Sequence, residues 1–362
     1  MKDTTGDWPT AGGNNRRTGV SRALLKPPLR MRWRCKEIQH PTGGIVASGD
    51  TAVCVSGIGH SIHGIDVRDG RVLWTNSVEG GGTPAVSGEY IYAGTAASAV
   101  CLDIATGKER WKTSTGRQKR ELPGAGDSCP LCVGQLVVYC DEETAAFDAE
   151  TGEAVFRLPG GNDPGVNMGP CSDEKSLYLI EGRNISRWGL HLDMAEAIAR
   201  TDGKPTAGPI IGDGMIIYGS SRSIVEALDA QTLERVWTFS VEDPLCYEYQ
   251  GWMESAPALF KGRVFFGSPD GNVYALDAGT GRRLWKHQTG APVESSPLVS
   301  GDTVFIMTAK KGLHALSAEN GRLEWRHDFG KVIREYAPNP AVTHSMILAG
   351  ADHLYAFASA AG

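Results

Sequence analysis

The chain has 362 residues, 46 of them glycine, with 22% charged and 41% hydrophobic residues and a formal net charge of −6. That acidic balance argues against a general nucleic-acid binder, which presents a basic face, and no apolar run approaches the roughly 18 residues a membrane helix requires. Eight cysteines without regular disulfide spacing, and a start lacking the apolar core of a secretory signal, lead to the expectation of a cytoplasmic protein.

In chain order, residues 1–29 read as an N-terminal extension and residues 30–362 as one repeating domain. The stretch "LRMRWRCKEI" around Trp33 is a strand with a heavy aromatic. After it, one pattern returns along the chain. "GIDVRDGRVLW" ends at Trp74, "CLDIATGKERW" at Trp111, "ALDAQTLERVW" at Trp237, "ALDAGTGRRLW" at Trp285 and "ALSAENGRLEW" at Trp325. In each, the Asp can accept hydrogen bonds from the turn that follows, and the Gly supplies the positive φ of a bulged hairpin. Phe156 replaces the Trp after Asp148 and Gly152, Leu233 replaces a Gly, and Ser317 replaces an Asp. Trp8, Trp188 and Trp252 stand outside this register.

Upstream of each turn lies a short strand with Pro or small residues, a Gly turn and a hydrophobic strand, as in "GTPAVSGEYIYAG" at 82–94. Each unit is therefore four antiparallel strands (A to D), repeating at about 40 residues, which is the signature of a β-propeller. Innermost strands are expected to start near Ile45, Pro84, Pro130, Pro170, Pro209, Pro257, Pro297 and Pro340. The fold class is all-β, an eight-bladed propeller, with the last blade closed by the N-terminal strand around Trp33. Stacked in a ring, each Trp can bury itself against the next blade, contributing on the order of 2–3 kcal/mol.

The signature Asp103-Ile-Ala-Thr-Gly107 before Trp111, and Asp277-Ala-Gly-Thr-Gly281 before Trp285, resembles the pyrroloquinoline-quinone-type repeat. The resemblance covers roughly residues 30–362 and implies an eight-bladed propeller. It also implies a range of functions: quinoprotein dehydrogenases, the lipoprotein scaffold of the outer-membrane β-barrel assembly machine, and sensor domains attached to kinases. The dehydrogenases would imply pyrroloquinoline quinone with calcium held by Glu, Asn and Asp, beneath a vicinal Cys-Cys pair. Asp127, Asn167 and Glu254 are of the right type, but no adjacent cysteines occur and the positions match no family motif. No cofactor is assigned.

Function must be argued from the site rather than the fold. The D–A and B–C connections of a propeller share one face and ring the channel mouth. Three residues before each strand A stand Thr42, Gly81, Asp127, Asn167, Thr206, Glu254, Glu294 and Ala337, a ring unusually rich in carboxylates. The long connection "VEDPLCYEYQGWMES" carries Tyr247, Tyr249 and Trp252, which suit contact with an organic ligand. "KVIREYAPN" brings Arg334, Glu335 and Tyr336, while Arg183 and Arg222 in B–C turns can hold an anionic group. In "GIGHSIHG", His60 and His63 join Glu254 and Glu294 as candidate proton-transfer groups. Cys129 and Cys132 span the start of an extended strand, so no metal is assigned to them. The expected function is a monomeric propeller binding a small organic ligand, protein or peptide at the channel mouth, with no nucleic acid and no membrane. The alternative is an acid–base enzyme of lyase, cyclase, isomerase or hydrolase type at the same mouth.

Overall fold

Turn glycines punctuate this chain so regularly that thirty-three short strands form without a helix among the described residues. The computed structural model describes residues 7–360 except 57–60, 79–81, 96, 116–128, 141–143, 159–168, 174, 193, 222, 242–252, 254, 309–311 and 331–337. Eight sheets form, each built on four antiparallel strands, and they follow one another as blades 1 to 8. The innermost strands are Val46–Ser48, Ala85–Ser87, Leu131–Val133, Cys171–Ser172, Pro205–Gly212, Ala258–Phe260, Leu298–Ser300 and Ala341–Thr343. In seven blades this strand begins one residue after the position expected from the repeat; in blade 5 it begins earlier, at Pro205.

Blade 8 takes its outer strand, Leu29–Gln39, from the other end of the chain. It pairs antiparallel with His353–Ser359, and Trp33 lies opposite Ala356. The ring is thus latched by its N-terminal strand.

The repeat motif is a docking device between blades. The indole Nε1 of five outer-strand Trp residues donates to a carbonyl just past the turn Asp, or its Ser counterpart, in the next blade. Trp33 reaches Val67 at 2.8 Å, Trp74 reaches Ile104 at 2.8 Å and Trp111 reaches Ala149 at 3.1 Å. Trp237 reaches Ala278 at 2.7 Å and Trp285 reaches Ala318 at 3.1 Å. The ring then lies on the turn Gly. A Cβ on Gly107 would stand 2.3 Å from the Trp74 ring, at a φ of +66°. Glycine is required there twice over, for its backbone and for its missing side chain. The residue two places beyond the Trp adds a further bond: Asn76 and Thr113 donate to the carbonyls of Gly107 and Gly152, each at 2.7 Å.

The turn itself is held by its Asp. Asp103 Oδ1 accepts from the Thr106 N–H at 2.9 Å and hydroxyl at 2.7 Å, and Asp277 does the same with Thr280. Threonine hydroxyls keep Asp103 and Asp277 below the usual carboxylate range, and backbone N–H groups do so for Asp148 and Asp229. The Arg68 guanidinium holds Asp66 at about 2.

The chain before the latch follows a course that the repeat does not announce. Residues 8–19 run inside the ring and bond one inner strand after another. The N–H groups of Ala47, Val86, Ser172, Ile211, Leu259 and Val299 donate to the carbonyls of Trp8, Pro9, Asn15, Arg16, Thr18 and Gly19, at 2.6 to 2.9 Å. In blade 3, Asn15 Nδ2 donates to the Cys132 carbonyl at 2.8 Å, and in blade 8 the Lys26 N–H reaches Ser359 Oγ at 2.8 Å. All six amides sit toward the A–B turns. The innermost strand of every blade has a free edge there, and an N–H left unpaired away from water costs about 1–3 kcal/mol. The segment satisfies these donors in six blades and occupies that end of the channel, with the Trp8 ring packed over Gly13.

Candidate functional site

The opposite end of the channel is framed by the D–A connections and the B–C turns. A circumferential set of hydrogen bonds ties the starts of neighbouring inner strands together. Thr83 Oγ1 of blade 2 accepts from the Gly44 N–H of blade 1 at 2.9 Å. Thr206 Oγ1 donates to the Met253 carbonyl at 2.8 Å. Ser296 Oγ accepts from Ala256 N–H at 3.0 Å, and Asn339 Oδ1 accepts from Ser296 N–H at 2.6 Å. Thr206, expected to face the mouth, is therefore buried and joins blades 5 and 6.

Glu294 lies half-buried on this face, between buried Val293 and Ser295, just ahead of the inner strand of blade 7. Arg183 is exposed in the two-residue B–C turn of blade 4, between Glu181 and Asn184. Beside it, burial raises the Glu181 carboxyl above its ordinary value. Sequence reasoning missed Glu181; its place at the end of an otherwise apolar strand, Ser176–Glu181, is the signal that could have found it.

His63 lies on strand C of blade 1, Ser61–Asp66, rather than in the turn before it. Its Nδ1 is 3.0 Å from Thr75 Oγ1 and its Nε2 is 3.0 Å from Ser56 Oγ, so both ring nitrogens are engaged. Burial lowers its pKa, while Glu37 of the latching strand opposes the shift. His60, Asp127, Asn167, Arg222, Tyr247, Tyr249, Trp252, Glu254, Arg334, Glu335 and Tyr336 lie outside the described residues. Among the described residues no three of His, Cys, Asp or Glu stand within reach of one cation. Cys132 is on strand A of blade 3, and the Cys129 carbonyl accepts from Arg17 Nη2 at 2.8 Å.

Two further polar clusters sit between blades 4 and 5. The Tyr218 hydroxyl donates to Glu226, both fully buried, and burial pushes the Tyr218 pKa well up. Arg187 reaches Gln231 Oε1 at 2.5 Å and Glu196 at 3.4 Å. Both belong to the packing of the ring.

Burial also lowers the pKa of His287, whose opposing influence is a bond to the Gly321 carbonyl, and of His327, opposed by Asp328. A histidine with a depressed folded-state pKa contributes stability that is complete above the unfolded value near 6.5 and is lost as pH falls through the folded value. The depressed aspartates act the same way below about pH 4. The thermal midpoint is therefore expected to fall in two stages on acidification, the first below pH 6.5. Scanning calorimetry of the wild type and a His63→Asn variant checks this. A flat midpoint between pH 7.5 and 5 in the wild type would remove the histidines from the account.

The family model described as outer membrane protein assembly factor BamB matches residues 59–174 and 221–360. The chain belongs to this family. A comparison with curated protein sequences finds no match. Among solved structures, a europium-containing methanol dehydrogenase aligns with a TM-score of 0.79 at 15% identity, covering 96% of this chain and 89% of that one. BamB from Moraxella catarrhalis aligns at 0.70 and 16% identity, covering 94% and 98%. Quinohemoprotein alcohol dehydrogenase from Comamonas testosteroni aligns at 0.77 and 15% identity, covering 97% and 80%. At these identities the likeness is one of fold alone.

Proposed function

We propose that the chain is a binding propeller that takes a small organic ligand, a protein or a peptide on its D–A and B–C face. The observation that carries this reading is the filling of the opposite end of the channel by residues 8–19, bonded to one inner strand after another. A ligand of the channel is thereby confined to one face, the face that holds Glu294, Arg183 and Glu181 and the loops that depart most from the repeat. A family named for an assembly factor supports partner binding. The seven described cysteines are free thiols, which supports a reducing compartment such as the cytoplasm.

Acid–base chemistry at the same mouth is a second reading, favoured by Glu181. A carboxyl whose pKa is raised by burial is the kind of group that serves proton transfer.

Native mass spectrometry of gently purified protein, with elemental analysis, separates these readings from a bare scaffold. Retained extra mass, followed by hydrogen-exchange protection confined to the D–A and B–C face, is the expected result. Protection at the A–B turns or the outer strands instead would sink the assignment of the face. For the enzyme reading, Glu181→Gln is expected to reduce turnover at least about 100-fold with folding intact; unchanged turnover excludes Glu181.

A further inference from the structure

The latching strand carries a charge pattern that its structural task does not require. Leu29–Gln39 is the longest strand among the described residues and the outermost of blade 8. Arg30, Arg32, Arg34 and Lys36 are all exposed. Trp33 and Cys35 are buried, and Glu37 acts on His63 in blade 1. Successive residues of a strand point to opposite faces, so Arg32, Arg34 and Lys36 stand together on the other side, spaced by about 6.7 Å. Arg30 follows across the irregularity between Met31 and Trp33.

None of the four makes an ion pair among the described residues. Arg34 alone has a partner, lying 6.0 Å over the ring of Tyr355, whose hydroxyl donates to Asp352 at 2.7 Å. Edge strands are often guarded by a charge or two. The outer strands of blades 1, 3 and 5 illustrate this economy: Val72–Asn76 has no cation, while Ala154–Leu158 and Arg235–Ser240 have one each. Four unneutralised cations on one strand repel each other, and they do so on a molecule whose net charge is −6.

We infer that the outer edge of blade 8 is a docking edge for an acidic, extended polypeptide segment of a partner protein. The charge row selects the partner, and the unpaired backbone of the edge strand accepts it as an added strand, with alternate acidic side chains falling opposite the cations. This surface lies on the rim of the ring, apart from the channel mouth, and does not depend on what the mouth binds. The backbone edge favours a polypeptide over a nucleic acid or a lipid surface, which would use the charges alone.

The test is fluorescence anisotropy with the full chain and a labelled peptide of alternating glutamate and threonine. Binding is expected to weaken as salt is raised, and to be roughly tenfold or more weaker in Arg30→Glu/Arg32→Glu/Arg34→Glu/Lys36→Glu. The corresponding glutamine variant, which removes charge without reversing it, serves if the first does not fold. Arg322→Glu/Arg326→Glu, on and beside the outer strand of blade 7, is expected to bind as the wild type does. A backbone N-methylated peptide is expected to lose binding, because it cannot pair with the edge. The inference is overturned if the glutamine–threonine peptide binds equally well, if the quadruple variant keeps its affinity, or if the methylated peptide binds unchanged. Tighter binding of oligo-dT or phosphatidylserine vesicles than of the acidic peptide also overturns it.

Discussion

Substituting valine for Gly107 is expected to destabilise the protein by about 2–5 kcal/mol, a large part of the margin of an ordinary domain. Two separate costs add. A β-branched residue at a φ of +66° adopts a left-handed conformation at about 1–2 kcal/mol, and its Cβ would stand 2.3 Å from the Trp74 ring, forcing repacking at about 1–3 kcal/mol. The same blade offers the control. Gly88 has a φ of +59° and nothing within 4 Å of its would-be Cβ, so Gly88→Val incurs the backbone cost alone. Urea midpoints of the two variants, at unchanged slope, isolate the contribution of the docked indole. Equal losses would mean that the turn glycines answer only to backbone conformation. A Trp74→Ala/Gly107→Val double variant then closes the cycle, with a loss smaller than the sum of its parts.

The seam between blades 4 and 5 provides the second large effect, because there the docking device is replaced as a set. Residues opposite the outer-strand Trp are small wherever a Trp is present: Gly64, Cys101, Ala227, Ala275, Ala315 and Ala356. In blade 4 the Trp position is Ala197, and the residue opposite it is Arg187. The turn Gly of blade 5 is Leu233, buried at a φ of +59° within a cluster against which Ala197 packs. Leucine and arginine fill the volume that an indole takes elsewhere. The carbonyl that would receive the indole N–H, Ala230, accepts instead from the Tyr178 hydroxyl at 3.2 Å. Ala197→Trp alone is expected to cost about 1–3 kcal/mol by overpacking, and Leu233→Gly alone about 2–4 kcal/mol by leaving a cavity. Combined with Arg187→Ala, the three changes restore the repeat pattern, and the triple variant is expected to be at least about 2 kcal/mol more stable than the sum of the single losses predicts. Strict additivity in denaturant titrations would show that the three positions do not share one space.

This seam also marks where reading the sequence stops. The six Trp of the repeat, its turn Asp residues and, to within one residue, seven of the eight inner-strand starts could be placed from spacing alone, since periodic volume and turn chemistry leave a mark at most repeats. Leu233 was visible as a departure, but its partner Ala197 is a residue with nothing to announce, and the pairing becomes visible only when blades meet. His63 is the third residue of strand C, past the turn to which its neighbours assign it, and its half-buried ring is engaged by Thr75 and Ser56 of its own blade. Glu181 carries no mark of the repeat, since a carboxylate at the end of a strand is ordinarily solvated. The candidates at the mouth rest on residue chemistry in connections that no repeat governs. Residues 8–19 left no repeat signature because the bonds that carry them from blade to blade are made largely by backbone carbonyls, which every sequence possesses, with side chains such as Asn15 and Arg17 only adding to them.

That segment has a consequence for how the molecule is made. Ribosomes emit the N-terminus first, yet the partners of this segment are distributed along the entire chain, and the bond from Leu25 to Ser300 joins residues 275 apart. Hub and rim fastener are therefore synthesised before anything exists for them to fasten. Early blades can form as they emerge, since their contacts are local. The wheel itself can be assembled only once nearly the whole chain is out, and until then it stands as an open arc, its inner edges bare.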